Sequence, residues 1–241
     1  MPAFSQLSKS CVFIVLLSGS ACVETFDGDG LPAEEDRSQA GFNRVSARGA
    51  LNVEVTQAEA FAIRVNIDSN LIRRVSTSVS DTTLEIEVDG GNLGDSLGGP
   101  HVLVSMPTLR DLELNGSGRL FAQGFDADVD EDVSVELAGS GEVSWSGRAT
   151  ALDAVLSGSG SLVLKGAAAS VDLYLAGNGE LDARSLTARR GTVELSGSGS
   201  ITASVDGRVD ATVLGTGEVE LYGDVVRGTW EESGGGTISG P

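Results

Sequence analysis

A glycine pair spaced by one residue, Gly-x-Gly, returns seven times in the second half of this 241-residue chain. The pairs are Gly116/Gly118, Gly139/Gly141, Gly158/Gly160, Gly177/Gly179, Gly197/Gly199, Gly215/Gly217 and Gly234/Gly236. Their first glycines are 23, 19, 19, 20, 18 and 19 residues apart. A fixed period near 19 identifies one supersecondary unit stacked on itself. Apolar and polar residues alternate on both sides of each pair. Before the glycines stand Leu112 and Leu114, Val135 and Leu137, or Leu173 and Leu175; after them stand Val143 and Trp145, or Leu162 and Leu164. That period of two is the signature of a half-buried strand. Each unit therefore reads as strand, Gly-x-Gly corner, strand and short polar turn.

The corner explains the glycines. Where coils stack about 4.8 Å apart at a sharp bend, a Cβ would meet the coil above or require a disfavoured φ. Between the paired glycines sit Ser117, Ser140, Ser159, Asn178, Ser198, Thr216 and Gly235, small residues able to hydrogen-bond up and down a stack. The period is too short for two helices or a propeller blade. The expected fold is all-β: a parallel, right-handed β-helix (β-solenoid) of about seven coils. With 33 glycines, 5 prolines and 5% aromatics, its interior is small and aliphatic. Glu232 stands where the other units carry Leu or Val, so the last unit reads as a degenerate cap.

The front of the chain points to export. Residues 1–21 have the layout of a secretory signal, with Lys9 before the apolar run Cys11 to Leu17 and small residues at Gly19-Ser20-Ala21. Cys22 follows. The stretch Leu16-Leu17-Ser18-Gly19-Ser20-Ala21-Cys22 resembles a bacterial lipobox, although Gly19 stands where Leu is most common. That resemblance implies lipidation of Cys22, which would be the one cysteine left and so exclude an internal disulfide. Residues 22–40 read as a flexible tether. Residues 41–110 carry alternating strands without the glycine pairs, among them Leu51 to Val55, Ala62 to Ile67, Leu84 to Val88 and His101 to Met106, with a brief helix or turn near Ser69 to Val75. They are expected to cap the N-terminal end of the solenoid, which spans 111–241.

Phe42, Val53-Glu54-Val55, Asn70-Leu71, Leu84-Glu85-Ile86 and Met106-Pro107-Thr108-Leu109, followed by serial Leu-x-Gly-Ser-Gly units, resemble the head GIN domain family. The likeness covers about residues 41–240. Its members are labelled putative auto-transporter adhesins and are common as envelope lipoproteins. The resemblance implies a β-helical fold and an envelope location, here periplasmic or surface-exposed at the outer membrane.

Candidate chemistry is sparse. Gly94-Asp95-Ser96-Leu97-Gly98 spells G-x-S-x-G beside His101, the only histidine, but Gly98-Gly99-Pro100 forbids the helix that a nucleophile elbow needs. The Gly-Ser-Gly corners lack the Lys-Ser/Thr ending and the helix of a phosphate loop. Asp126, Asp128, Asp130, Glu131 and Asp132 could offer oxygens to Ca²⁺, but without EF-hand spacing they read as an exposed acidic loop. The outward acids Glu113, Glu136, Asp153, Asp172, Glu194 and Asp210 form one ladder at coil spacing. A net charge of −19 argues against nucleic acid or an anionic membrane surface as partner.

The expectation is a non-catalytic envelope lipoprotein with no cofactor and no metal site, touching the membrane only through its lipid. It would display a rigid surface to a glycan or protein ligand, with weak contacts adding through multivalency. A self-assembling structural protein is the second reading. A carbohydrate-active β-helix enzyme is the third.

Overall fold

Because Leu, Val, Ile and Ala alternate with Ser, Thr, Asp, Glu and Arg, each segment can bury only one face, and stacking in parallel satisfies both that face and the backbone. The computed structural model describes residues 25–88, 92–93, 99–126 and 131–241. Its strands stack in two columns joined at the corner. The column that precedes the corner runs, in spatial order, Val75–Ser80, Thr83–Val88, Arg44–Gly49, Asp111–Gly116 and Val133–Gly139. It continues through the later halves of Glu142–Gly158, Ser161–Gly177, Glu180–Gly197 and Ser200–Gly215 to Val226–Gly234. The column after the corner begins Pro32–Arg37, Ala62–Asp68, His101–Met106, Asn52–Gln57 and Arg119–Phe125. The early halves of the same four long strands follow, then Glu218–Tyr222 and Thr237–Ser239. Pairing is parallel throughout except where Val75–Ser80, Pro32–Arg37 and Ala62–Asp68 join. The molecule is a parallel β-solenoid. At ~4.8 Å per level its parallel part extends roughly 40 Å.

Side chains fill the interior from one end to the other. Leu112, Leu114, Val135, Leu137, Leu156, Leu175, Leu195 and Val213 are all buried. Trp145 is fully buried, in register with Ala122 below and Leu164 above, so one large ring is accommodated by a small neighbour in the same column.

The Gly-x-Gly coils follow one another in sequence, but the levels beneath them do not. Strands Arg44–Gly49 and Asn52–Gln57 make an eighth corner at Gly49-Ala50-Leu51, with Gly49 in register under Gly116. There Arg119 N–H donates to the Leu51 carbonyl at 2.8 Å. Thr83–Val88 and His101–Met106 form the level below that one. After the edge strand Pro32–Arg37 the chain thus lays the second parallel level first and then descends through Ala62–Asp68, the 3₁₀ turn Ile72–Arg74 and Val75–Ser80. It then lays the lower level and crosses back above its starting point at Asp111. Residues 41–110 and 111–241 share one stack and one core.

One expectation is corrected. The tether assigned to residues 22–40 contains a strand, Pro32–Arg37, which pairs antiparallel with Ala62–Asp68 from Pro32↔Asp68 to Arg37↔Ile63. Both its faces are largely exposed, so it needs no apolar alternation, and its composition therefore resembles a linker. Glu34, Glu35 and Asp36 are the charges of an edge strand; Asp36 Oδ1 accepts from Arg64 Nε at 2.7 Å. Gly30 N–H donates to Asp68 Oδ1 at 2.7 Å, tying the preceding loop to the same edge.

The opposite end is blunted differently. Glu232 folds back across the last corner and accepts the Ile238 N–H at 2.8 Å. A carboxylate thus stands in register above the core residue Val213, where the other coils carry Leu or Val.

Candidate binding surfaces

The corner is built by backbone, not side chains. Gly139 O accepts N–H bonds from both Ser159, at 3.0 Å, and Gly160, at 3.2 Å, in the coil above. The carbonyl therefore points at the place where a Cβ on Gly158 would sit, and Gly158 has φ +129°. A Cβ on Gly160 would lie against Gly141 O and Leu137 Cδ2. Pairing places Gly49, Gly116, Gly139, Gly158, Gly177, Gly197, Gly215 and Gly234 in one column. Gly118, Gly141, Gly160, Gly179, Gly199, Gly217 and Gly236 stack beside it, each with its absent Cβ directed at the coil below.

With no side chains on either glycine, the corner is a long open trough. Its upper part encloses about 540 Å³ between Ser159 and Glu218, and a lower part continues from Ser117 to Ser161. The residues between the glycines line one wall, and Ser198 Oγ lies 2.9 Å from Thr216 Oγ1. The other wall is a column in register: Arg119, Glu142, Ser161, Glu180, Ser200, Glu218 and Thr237. Arg119 Nε pairs with Glu142 Oε2 at 3.3 Å, and above them carboxylate alternates with hydroxyl. The trough thus offers donors and acceptors in short, repeated spacings.

The acids before the corner form two columns rather than the single ladder expected. Asp111, Ser134, Asp153, Asp172, Thr192 and Asp210 make one, and Glu113, Glu136, Val155, Tyr174, Glu194 and Thr212 the other. The reason is phase: the six acids sit at two positions of the strand, two residues apart. Partial burial raises the Asp111 carboxyl above its ordinary range, against the pull of Arg44 and with a further push from Glu113. Glu136 is raised by burial and by Glu113 and Asp111, and Asp153 by burial and by Asp172 and Asp132. Asp153 and Asp172 are close enough to share a hydrogen bond. They stand side by side on one wall, whereas glycoside cleavage uses carboxyl groups that flank the scissile bond.

His101 is exposed and opens a strand; its partners in register are Asn52 and Asn66, neither a nucleophile nor an acid. The G-x-S-x-G residues 94–98, the lipobox with Cys22, and Asp128 and Asp130 lie outside the described residues. Of the acidic loop, Asp126 and Asp132 are exposed, and Glu131 pairs with Arg110. Among the described residues no group of three or more His, Cys, Asp or Glu is placed to hold a metal ion. No described helix is long and apolar enough to cross a membrane.

The family model described as "Putative auto-transporter adhesin, head GIN domain" matches residues 41–224. The chain belongs to the head GIN domain family. Solved structures share its fold at low identity. A "putative adhesin" from Bacteroides fragilis superposes with TM-score 0.78 at 21% identity, covering 88% of this chain and 98% of that one. A second such protein, from Parabacteroides distasonis, gives 0.74 at 20% identity, covering 89% and 99%. Another from the same organism, a "Putative lipid binding protein", gives 0.71 at 22% identity, covering 89% and 98%. No curated protein matches the chain. What these structures share with the chain is the fold.

Proposed function

We propose that this head GIN protein is a non-catalytic binding module of the bacterial envelope, held to the membrane by a lipid on Cys22. It meets a repetitive ligand, glycan or protein, along the Gly-x-Gly trough. The observation that carries this reading is the trough itself: small polar groups repeat in register along one corner, open to solvent over its whole length. A polymer lying there gains many weak polar contacts from groups whose positions the backbone has already fixed, so little side-chain order is lost on binding. Family membership and the adhesin-titled neighbours are consistent with a display role. The aliphatic core is filled by its own side chains, so the reading uses the surface and not the interior.

The test is a glycan array and a panel of purified envelope proteins probed with the full chain and with a Ser159→Tyr/Ser198→Tyr variant that fills the trough. Binding of uncharged glycans or envelope proteins lost in the variant, with an unchanged thermal midpoint, supports the reading; such binding that survives the filled trough refutes it. Cys22→Ala tests the anchor, with release of the protein from the membrane fraction as the expected result.

A further inference from the structure

The edge opposite the Gly-x-Gly corner carries a different charge. Where the chain crosses it in the three middle coils, at residues 145–151, 164–170 and 183–191, it bears Arg148, Lys165, Arg184, Arg189 and Arg190 and no carboxylate. With 35 acids to 16 bases in the chain, this patch inverts the overall composition. All five side chains are exposed. Arg184 lies over the Tyr222 ring at 5.0 Å. The next base along the edge, Arg208, stands in register with Arg190 but is bound to Asp210 at 2.8 Å, and so adds little free charge.

Small residues open the surface between these cations. Arg148 and Arg189, with Thr150 and Thr187, surround a depression of about 360 Å³ floored by Ala149 and Ala168. Register sets Arg148 beside Ala167 and Thr187 in one column, with Ala149, Ala168 and Ala188 in the next. Arg189 follows Ala188, so the two arginines lie diagonally across two coils, roughly 12 Å apart at the backbone. A guanidinium offers a planar fork of donors to a carboxylate or sulfate, and the alanines let the ligand backbone approach closely.

We propose that this edge binds an acidic polysaccharide, one strand of pyranose rings bearing carboxylate or sulfate groups, as a second surface independent of the corner trough. The three coils carry one, one and three cations, and they stack at ~4.8 Å along the rod, a step of the same order as one sugar ring. The flanks of the patch select the occupant. Asp126, Glu131 and Asp132 lie in the coil below Arg148, where the Glu131 carbonyl accepts the Thr150 N–H, and Asp206, which accepts the Asp224 N–H, lies in the coil above Arg189. A flat anionic bilayer would press against those acids as well as the arginines. A nucleic-acid duplex, with one charge per about 1.7 Å, would meet too few cations on a chain of net charge −19. A narrow chain of spaced charges fits between the acidic ends.

The test is titration of the full chain with polygalacturonate and with dextran sulfate, set against neutral dextran, a DNA duplex and phosphatidylglycerol vesicles. Binding of either acidic polysaccharide is expected, weakening as salt rises. It should fall at least tenfold in Arg148→Gln/Arg189→Gln, with a salt slope reduced by about 1.5 for the two lost contacts. Because both side chains are exposed, the variant should melt with the parent; Lys165→Gln gives a second, single-charge step in the same direction. Absence of binding to both acidic polysaccharides overturns the proposal. So does binding unchanged in the double variant, or an affinity for duplex or vesicles equal to that for the polysaccharides. Filling the trough with Ser159→Tyr/Ser198→Tyr should leave acidic-glycan binding intact, so the two surfaces stand or fall separately.

Discussion

Four glycine-to-alanine substitutions separate the two physical demands of the corner. Gly158 faces both: φ of +129° and a carbonyl where its Cβ would be. Gly160 faces only the second, since its Cβ would crowd Gly141 O and Leu137 Cδ2, the latter at 2.8 Å. Gly41 faces only the first, with φ +82° and nothing within 4 Å. Gly235, between the last glycine pair, faces neither; its nearest neighbour is Thr216 Cγ2 at 3.7 Å. A disfavoured φ alone costs about 1–2 kcal/mol, and overpacking that the backbone must absorb costs about 1–3 kcal/mol. Gly41→Ala should therefore lose about 1–2 kcal/mol and Gly160→Ala about 1–3 kcal/mol. Gly158→Ala combines both and weakens two N–H bonds to Gly139 O, giving about 3–5 kcal/mol. Gly235→Ala should stay within about 0.5 kcal/mol of the parent. Urea unfolding of the full chain, followed by far-ultraviolet circular dichroism and tryptophan fluorescence, reads all four. If Gly158→Ala unfolds within about 1 kcal/mol of Gly235→Ala, the corner is not set by side-chain exclusion and the reasoning fails.

Stability should rise on mild acidification. The folded-state pKa values of Asp111, Glu136 and Asp153 are raised, so the native state binds more protons than the unfolded chain just above the ordinary carboxylate range. The thermal midpoint is expected to climb from about pH 7 toward about pH 5, and Glu136→Gln should melt higher than the parent at neutral pH and climb less. Below the ordinary range the sign reverses. Asp36, held down by Arg64, Asp210, held down by the Thr229 N–H, and Asp29, held down by Ser69, then lose their partners. A midpoint that falls steadily from neutral pH would contradict this. Trp145 is fully buried and Trp230 only partly so; a Trp230→Phe protein should keep blue-shifted emission that acrylamide quenches poorly, and red-shifted emission would displace Trp145 from the core. Glu232→Leu removes the carboxylate that holds the Ile238 N–H and restores an apolar end. Larger species in sedimentation velocity at concentrations where the parent sediments alone are the expected result, and an unchanged profile would count against a capping role.

The sequence was most readable where each coil repeats its predecessor. Local alternation and the glycine period assign inward residues such as Leu156, Leu175 and Val213, because the same φ and the same carbonyl constrain every corner. The corner at Gly49 escaped that reading, since Leu51 replaces the second glycine and leaves a single Gly with no period to announce it. The order of the lower levels has no local signal at all: nothing near Arg44 states that its strand will lie between Thr83–Val88 and Asp111–Gly116. Pro32–Arg37 was hidden because an exposed edge strand and a linker share a composition. The glycines announce the corner but not the open trough along it, and the basic edge required knowing that residues 19 apart, such as Arg148 and Ala167, become neighbours.

The two ends of the stack differ in what they permit over evolutionary time. At the bottom, the strands between residues 32 and 106 stack out of chain order and antiparallel segments seal the edge, so inserting a unit there would sever several connections at once. Every later coil leans only on the one before it. Duplicating a 19-residue stretch among them lengthens the molecule without disturbing either terminus, so a protein of this design can grow in one direction only.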